Sequence, residues 1–178
     1  MYVATQQAVI PTLMFGPLPL LYLADMRAGG GCSVPPDDKP GTLAIPLPTI
    51  PPGCIVCFIP PEAAVHFRPS IQAAKAKGAT QAAIEVNGVR LFIYCDLPLG
   101  GQPMFTEGIG MAARPIRTHA VPKGSIVVVL TPDLAEKVRP GLKAAIAEAA
   151  RLERQGNAQL AAANLEAQER ALKNGHGL

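Results

Sequence analysis

The chain has no tryptophan and few other aromatics, three Tyr and five Phe in 178 residues. A core built on large rings is therefore excluded. Ala, Val, Ile and Leu carry most of the 49% apolar share, with proline beside them, and each buries less area than a ring does. Proline is missing beyond Pro140, although the chain has 19 of them and eleven fall in the first 60 residues. No basic stripe is present either. The formal net charge of +3 is spread thinly, whereas a nucleic-acid binder crowds Lys and Arg onto one face. The mildly basic middle, with Arg90, Arg114, Arg117 and Lys123, is what a phosphate-binding reading has to rest on.

Other absences narrow the chemistry. The apolar run 8–24 has no Lys or Arg ahead of it, so the charged start of a signal peptide is lacking. Its 17 residues are at the short end for a bilayer and are broken by Pro11, Pro17 and Pro19. No membrane span is expected, and the chain reads as soluble, intracellular or part of a particle. Cys54 and Cys57 form a C-x-x-C, but no second C-x-x-C and no H-x₃-H accompanies it. No pair of carboxylates stands out as an acid–base couple, and the sequence shows no internal repeat.

What is present divides the chain into three. Residues 1–41 read as an extended, apolar, Pro-rich arm and loop, because each proline in a central strand removes a ladder hydrogen bond. Residues 42–130 read as a β-rich core domain. Here 42–47 is an edge strand broken by Pro46, Cys54–Ile59 a short apolar strand, and 61–77 a helix that Pro69 splits. Residues 81–86 and 89–95 form a hairpin around Asn87-Gly88, a pair that accepts positive φ at both positions of a type I′ turn. A long loop covers 96–115, an alternating strand 116–121, and the β-branched run Ser125–Leu130 a strand buried on both faces. Residues 131–178 read as a helical tail opened by Thr131-Pro132-Asp133 and interrupted at Pro140-Gly141. The fold class is α+β: a small, mainly antiparallel β core with one short helix, the arm, and a long C-terminal helix.

The candidate chemistry is thin. Cys54, Cys57, Cys95 and His119 are weak metal or thiol candidates. Ile and Val between the first two cysteines favour a strand, on which positions i and i+3 face opposite ways. Buried thiols acting as small hydrophobes are the favoured reading, and no cofactor is expected. Gly108-Ile109-Gly110-Met111 lacks the strand and helix that a phosphate loop needs on either side.

The functional expectation is a non-catalytic structural or assembly subunit of a large complex, such as a virion, an injection apparatus or a secretion apparatus. Its partners would be protein subunits, the same chain or others. The arm residues Leu13, Phe15, Leu18, Leu20, Leu21 and Tyr22 would supply the interface, together with Leu142, Leu152 and Leu160 on the tail. The alternatives are a small Cys/His metal-binding or thiol enzyme module and a nucleic-acid-binding accessory protein.

Overall fold

The computed structural model describes residues 9–34, 45–46, 49–79, 81–98, 100–108, 110–116 and 118–175. The chain begins with β1 (Thr12–Phe15), β2 (Leu18–Met26), β3 (Gly30–Val34), β4 (Ile45–Pro46), β5 (Cys54–Ile59) and α1 (Pro61–Ala76). It continues with β6 (Ala83–Val86), β7 (Val89–Leu97), β8 (Met104–Glu107), β9 (Arg114–Ile116), β10 (Ser125–Leu130) and α2 (Pro132–Gly175). One sheet has the order β1-β2-β5-β10-β7-β6 and a second the order β4-β3-β8-β9. Every neighbouring pair is antiparallel. The architecture is the expected α+β, mainly antiparallel with one short and one long helix.

The central strands β5 and β10 are uninterrupted apolar runs because both their faces are covered. Cys57, Ile55 and Ile59 join Ile126, Val128 and Leu130 in a core that also takes Ala64 and Ile71 of α1 and Ala135 and Leu142 of α2. Val56, Phe58 and Val127 point the other way, toward Cys32 and Phe105 of the second sheet. Pro61 and Pro132 open the helices, where a fixed φ helps and no N–H is missed. Both helices continue through an internal proline, Pro69 and Pro140. The expected split at Pro69 and break at Pro140 do not occur. Anchors on both sides, Ala64 with Ile71 and Ala135 with Leu142, reach the same core.

The amino-terminal arm is corrected outright. Residues 12–26 are a β-hairpin inside the main sheet, with β2 between β1 and β5. Leu13, Leu18 and Leu20 are buried in the chain's own core, with Phe15 and Tyr22 packed against it and Leu21 against the opposite layer. Prolines fit because of register. Pro17 sits in the two-residue turn behind Gly16, which has φ +59°. Tyr22 donates to the Pro11 carbonyl at 2.9 Å, which makes Pro11 and Tyr22 a hydrogen-bonded pair. By strict alternation Met14–Pro19 is then a non-bonded pair. Pro19 thus aims its missing donor away from β1, at a point before pairing with β5 begins at Leu21.

Three smaller expectations also change. Gly30–Val34, read as loop, is β3. The loop at 96–115 contains the end of β7 as well as β8. The strand placed at 116–121 is β9, which ends at Ile116, and Val121 makes only an isolated bridge to Gly101. The expected edge strand at 42–47 lies largely outside the described residues; Ile45–Pro46 is at the edge of the second sheet.

The largest correction is that the chain is an internal repeat. A shift of 71 residues carries β1, β2, β5 and the start of α1 onto β6, β7, β10 and the start of α2 with no insertion. Detail repeats with it. The bulge in β2 between Tyr22 and Ala24 recurs in β7 between Ile93 and Cys95. The Gly30–Ile50 bridge recurs as Gly101–Val121. The Tyr22 N–H to Pro11 carbonyl bond recurs as Ile93 to Ala82.

Residues that touch their own equivalents mark a pseudo-twofold axis. Cys57 pairs with Val128 in the main sheet, and Ser33 with Met104 in the second. The main sheet curls until the hairpin tips meet on that axis, where a Cβ added to Gly16 would lie 2.0 Å from Asn87 Nδ2. Each helix packs on the opposite half: α1 on β6 and β10, α2 on β1 and β5.

Equivalent glycines make the repeat testable. Gly29 and Gly100 have φ +67° and +68°, and a Cβ there would lie 2.8 Å from the Ile50 carbonyl oxygen and 2.6 Å from that of Val121. Gly29→Ala and Gly100→Ala are each expected to lower unfolding free energy by about 2 kcal/mol or more. Urea titration of the two variants checks this, and a neutral result at either position would contradict the shared geometry.

Candidate functional site

The charged groups that the fold holds most firmly are two equivalent clasps. Arg139 on α2 donates to Asp25 on β2 through Nε at 3.2 Å and Nη2 at 3.0 Å, and Nη2 also reaches the Gly53 carbonyl at 2.9 Å. Arg68 on α1 donates to Asp96 on β7 through Nε at 3.2 Å and Nη2 at 2.8 Å, and to the Gly124 carbonyl at 2.8 Å. Each member of one clasp is the 71-residue equivalent of its counterpart. Bidentate guanidinium–carboxylate geometry gives direction as well as attraction. Hydrogen bonding to the two aspartates raises the already high values of both guanidinium groups, so both stay charged.

The first clasp carries charges its twin lacks. Arg27 donates to Asp25 at 3.3 Å, and Glu136 accepts from Arg139 at 2.5 Å. Their equivalents are Pro98 and Val65. An open cleft of about 430 Å³ lies over this clasp, lined by Asp25, Arg27, Glu136, Arg139, Lys143 and Ile146 among others. Arg139 has its donors committed to protein groups, so it serves as a strut between α2 and β2. The side chains of Arg139 and Asp25 are 13% and 18% exposed, against 24% and 31% for Arg68 and Asp96.

The thiol candidates are dispersed. Cys57 faces the helix-side core and Cys54 the opposite layer, as strand alternation requires. Cys32 and Cys95 also belong to that second layer. Burial pushes the thiols of Cys57 and Cys32 up to about 12. Burial first, then the nearby Cys32 and Asp96, does the same to Cys95. Cys54 is raised by burial, with Arg139 opposing. His119 is half-buried in the segment after β9. Among the described residues no three His, Cys, Asp or Glu side chains gather as a metal cluster. The buried Ser125 hydroxyl, which has no hydrogen-bond partner among the described residues, stands where the first half has Cys54.

The basic residues named above fall on different elements where they are described. Arg90 lies over the Phe92 ring at 5.6 Å in the main sheet, Arg114 is in the second sheet, and Arg117 lies outside the described residues. The Gly108–Gly110 stretch leads into a single 3₁₀ turn, Gly110–Ala112.

The tail departs most from the repeat. Gly78, with φ +83°, closes α1 just past Ala76, but the equivalent of Gly78 in α2 is Ala149, buried, and the helix runs on to Gly175. Glu153 accepts from the Val9 N–H at 3.1 Å, the last tie to the body that the hydrogen bonds show. Leu142 is buried, and Leu152 is 39% exposed. From residue 154 to residue 171 every side chain is exposed except the half-buried Leu160. Among the described residues no helix is long and apolar enough to cross a membrane. No protein-family model, curated protein or solved structure matches this chain.

Two outcomes are expected. Asp25→Ala or Arg139→Ala strands a largely buried charge and lowers stability by about 3 kcal/mol. Asp96→Ala or Arg68→Ala, at the wetter clasp, lowers it by about 1.5 kcal/mol. Denaturant curves that reverse this order would refute the burial argument. For the thiols, the unfolded chain deprotonates near about 8.5 while the folded one keeps its protons. Stability is therefore intact below that pH and falls as pH rises toward 12. In native protein at neutral pH, Cys57 is expected to resist a thiol-specific chromogenic reagent until the chain unfolds. Rapid native labelling at Cys57 would contradict its placement.

Proposed function

We propose that this chain is a non-catalytic structural subunit of a larger protein assembly, such as a virion, an injection apparatus or a secretion apparatus. The amino-terminal hairpin is spent on the chain's own sheet, so the docking element is the distal part of α2. The carrying observation is a helix that continues about 30 Å past its last hydrogen-bonded tie to the body, at 1.5 Å per residue, exposed apart from the half-buried Leu160. In proteins most helical stability comes from packing an apolar face rather than from propensity. Surface pairs such as Arg151–Glu148 at 2.6 Å and Arg170–Glu166 at 3.5 Å add only a few tenths of a kcal/mol each, by order of magnitude. Burial against protein supplies the rest, and Leu152, Leu160 and Leu165 are the larger apolar side chains on offer.

Removal of the tail is the test. A chain ending at Arg154 keeps both clasps and every strand. Its melting temperature is expected to stay within about 3 °C of the full chain, while its sedimentation mass falls below that of the full chain by the share the tail contributes to association. The full chain is expected to form a larger species up to roughly 100 µM. If the full chain is monomeric across that range, with tail amides that exchange equally fast throughout, the reading fails.

A further inference from the structure

We propose that the surface between the two halves is a self-assembly surface, and that its partner is the opposite half of a second copy of this chain. Two copies would exchange halves, so that each six-stranded sheet is completed by β1, β2 and β5 from one chain and β6, β7 and β10 from the other.

The geometry supports this from three sides. First, the halves are joined as two subunits of a twofold dimer are joined. The axis runs through Cys57–Val128 and Ser33–Met104, pairs of equivalent residues, and an isologous contact is the form that such dimers take. Second, each half is incomplete by itself. Helix α1 covers β6 and β10, and α2 covers β1 and β5. Arg68 needs Asp96 and the Gly124 carbonyl, while Arg139 needs Asp25 and the Gly53 carbonyl. All of these contacts can form equally well within a chain or between chains. Third, the covalent join is slight. Only residues 77–82 connect α1 to β6, and Lys77, Gly78, Ala79 and Gln81 are exposed. Exchange of identical elements is a route to a dimer of low thermodynamic cost, since no new interface is required. The proposal does not depend on the tail helix.

A pair of full-length variants tests it. Asp25→Lys damages the first half and Arg139→Glu the second, and each alone places like charges in the clasp. Each is expected to melt about 10 °C below the parent chain, or to stay unfolded. When the two are unfolded together and refolded as a mixture, an exchanged heterodimer has one sheet in which the introduced charges oppose each other and one with the native pair. The expected result is a species containing both variants in equal amount, found only in the mixture, that melts within about 3 °C of the parent. As a second measurement, deletion of Gly78 and Ala79 strains closure within one chain and is expected to yield the dimer without any clasp substitution. A mixture that melts as the sum of its parts, or a shortened chain that remains monomeric with unchanged melting, would overturn the proposal. Tail-driven association is the same in every sample, so its failure would leave mixture-dependent rescue untouched.

Discussion

Everything else in the molecule is arranged around the antiparallel pairing of β5 with β10. Both strands are buried on both faces, so neither can be displaced without exposing two cores. Their register centres on Cys57 opposite Val128, and that single choice puts the pseudo-twofold axis through the middle of the sheet. Once the axis is set, β2 and β7 flank the pair, the edge hairpins curl until their tips meet, and the helices leave the ends of β5 and β10 in opposite directions. Each helix therefore lands on the half that did not produce it. The two arginines follow, because they sit at the same position on helices related by the axis.

Where the halves agree, the fold explains the residues; where they differ, it does not. The clasp of Arg, Asp and Gly carbonyl occurs twice and needs no further role beyond holding a helix to the neighbouring half. The continuation of α2 past the point where α1 stops has no counterpart and contributes nothing to the core beyond its first turns. That asymmetry is what supports the proposal of a docking role for the carboxyl end. The two proposed kinds of self-association, one through the tail and one through exchange of halves, draw on different surfaces.

Local chemistry was legible wherever one residue type was mandatory. Asn87 and Gly88 adopt φ +50° and +74° as their turn requires, the runs Cys54–Ile59 and Ser125–Leu130 are strands, and the helices begin at Pro61 and Pro132. The hairpin at the amino end was misread because proline was counted as a lost hydrogen bond without regard to register. In an antiparallel ladder only alternate positions donate to a given neighbour, and Pro19 occupies one that does not. The repeat was missed for a related reason. Between β2 and β7 only Leu20 with Leu91 and Asp25 with Asp96 are identical. A core strand asks for apolar volume and accepts Leu, Phe, Ile, Tyr or Cys almost interchangeably. Identity survives where the backbone or a charge leaves no substitute: Gly29 with Gly100, Gly53 with Gly124, Pro61 with Pro132, Arg68 with Arg139.

The amino-acid sequence by itself determined the fold class, the Asn-Gly turn, the two doubly buried strands and the starts of both helices. Each depends on contacts within a few residues or on a periodicity that the chain carries along its length. Only the tertiary structure decided that the greasy amino end belongs inside the sheet and that the chain is one unit used twice. Those outcomes depend on partners far apart in the chain, from Met26 with Cys54 to Cys57 with Val128, and the forces that select them, burial and strand pairing, are indifferent to which apolar side chain supplies the contact.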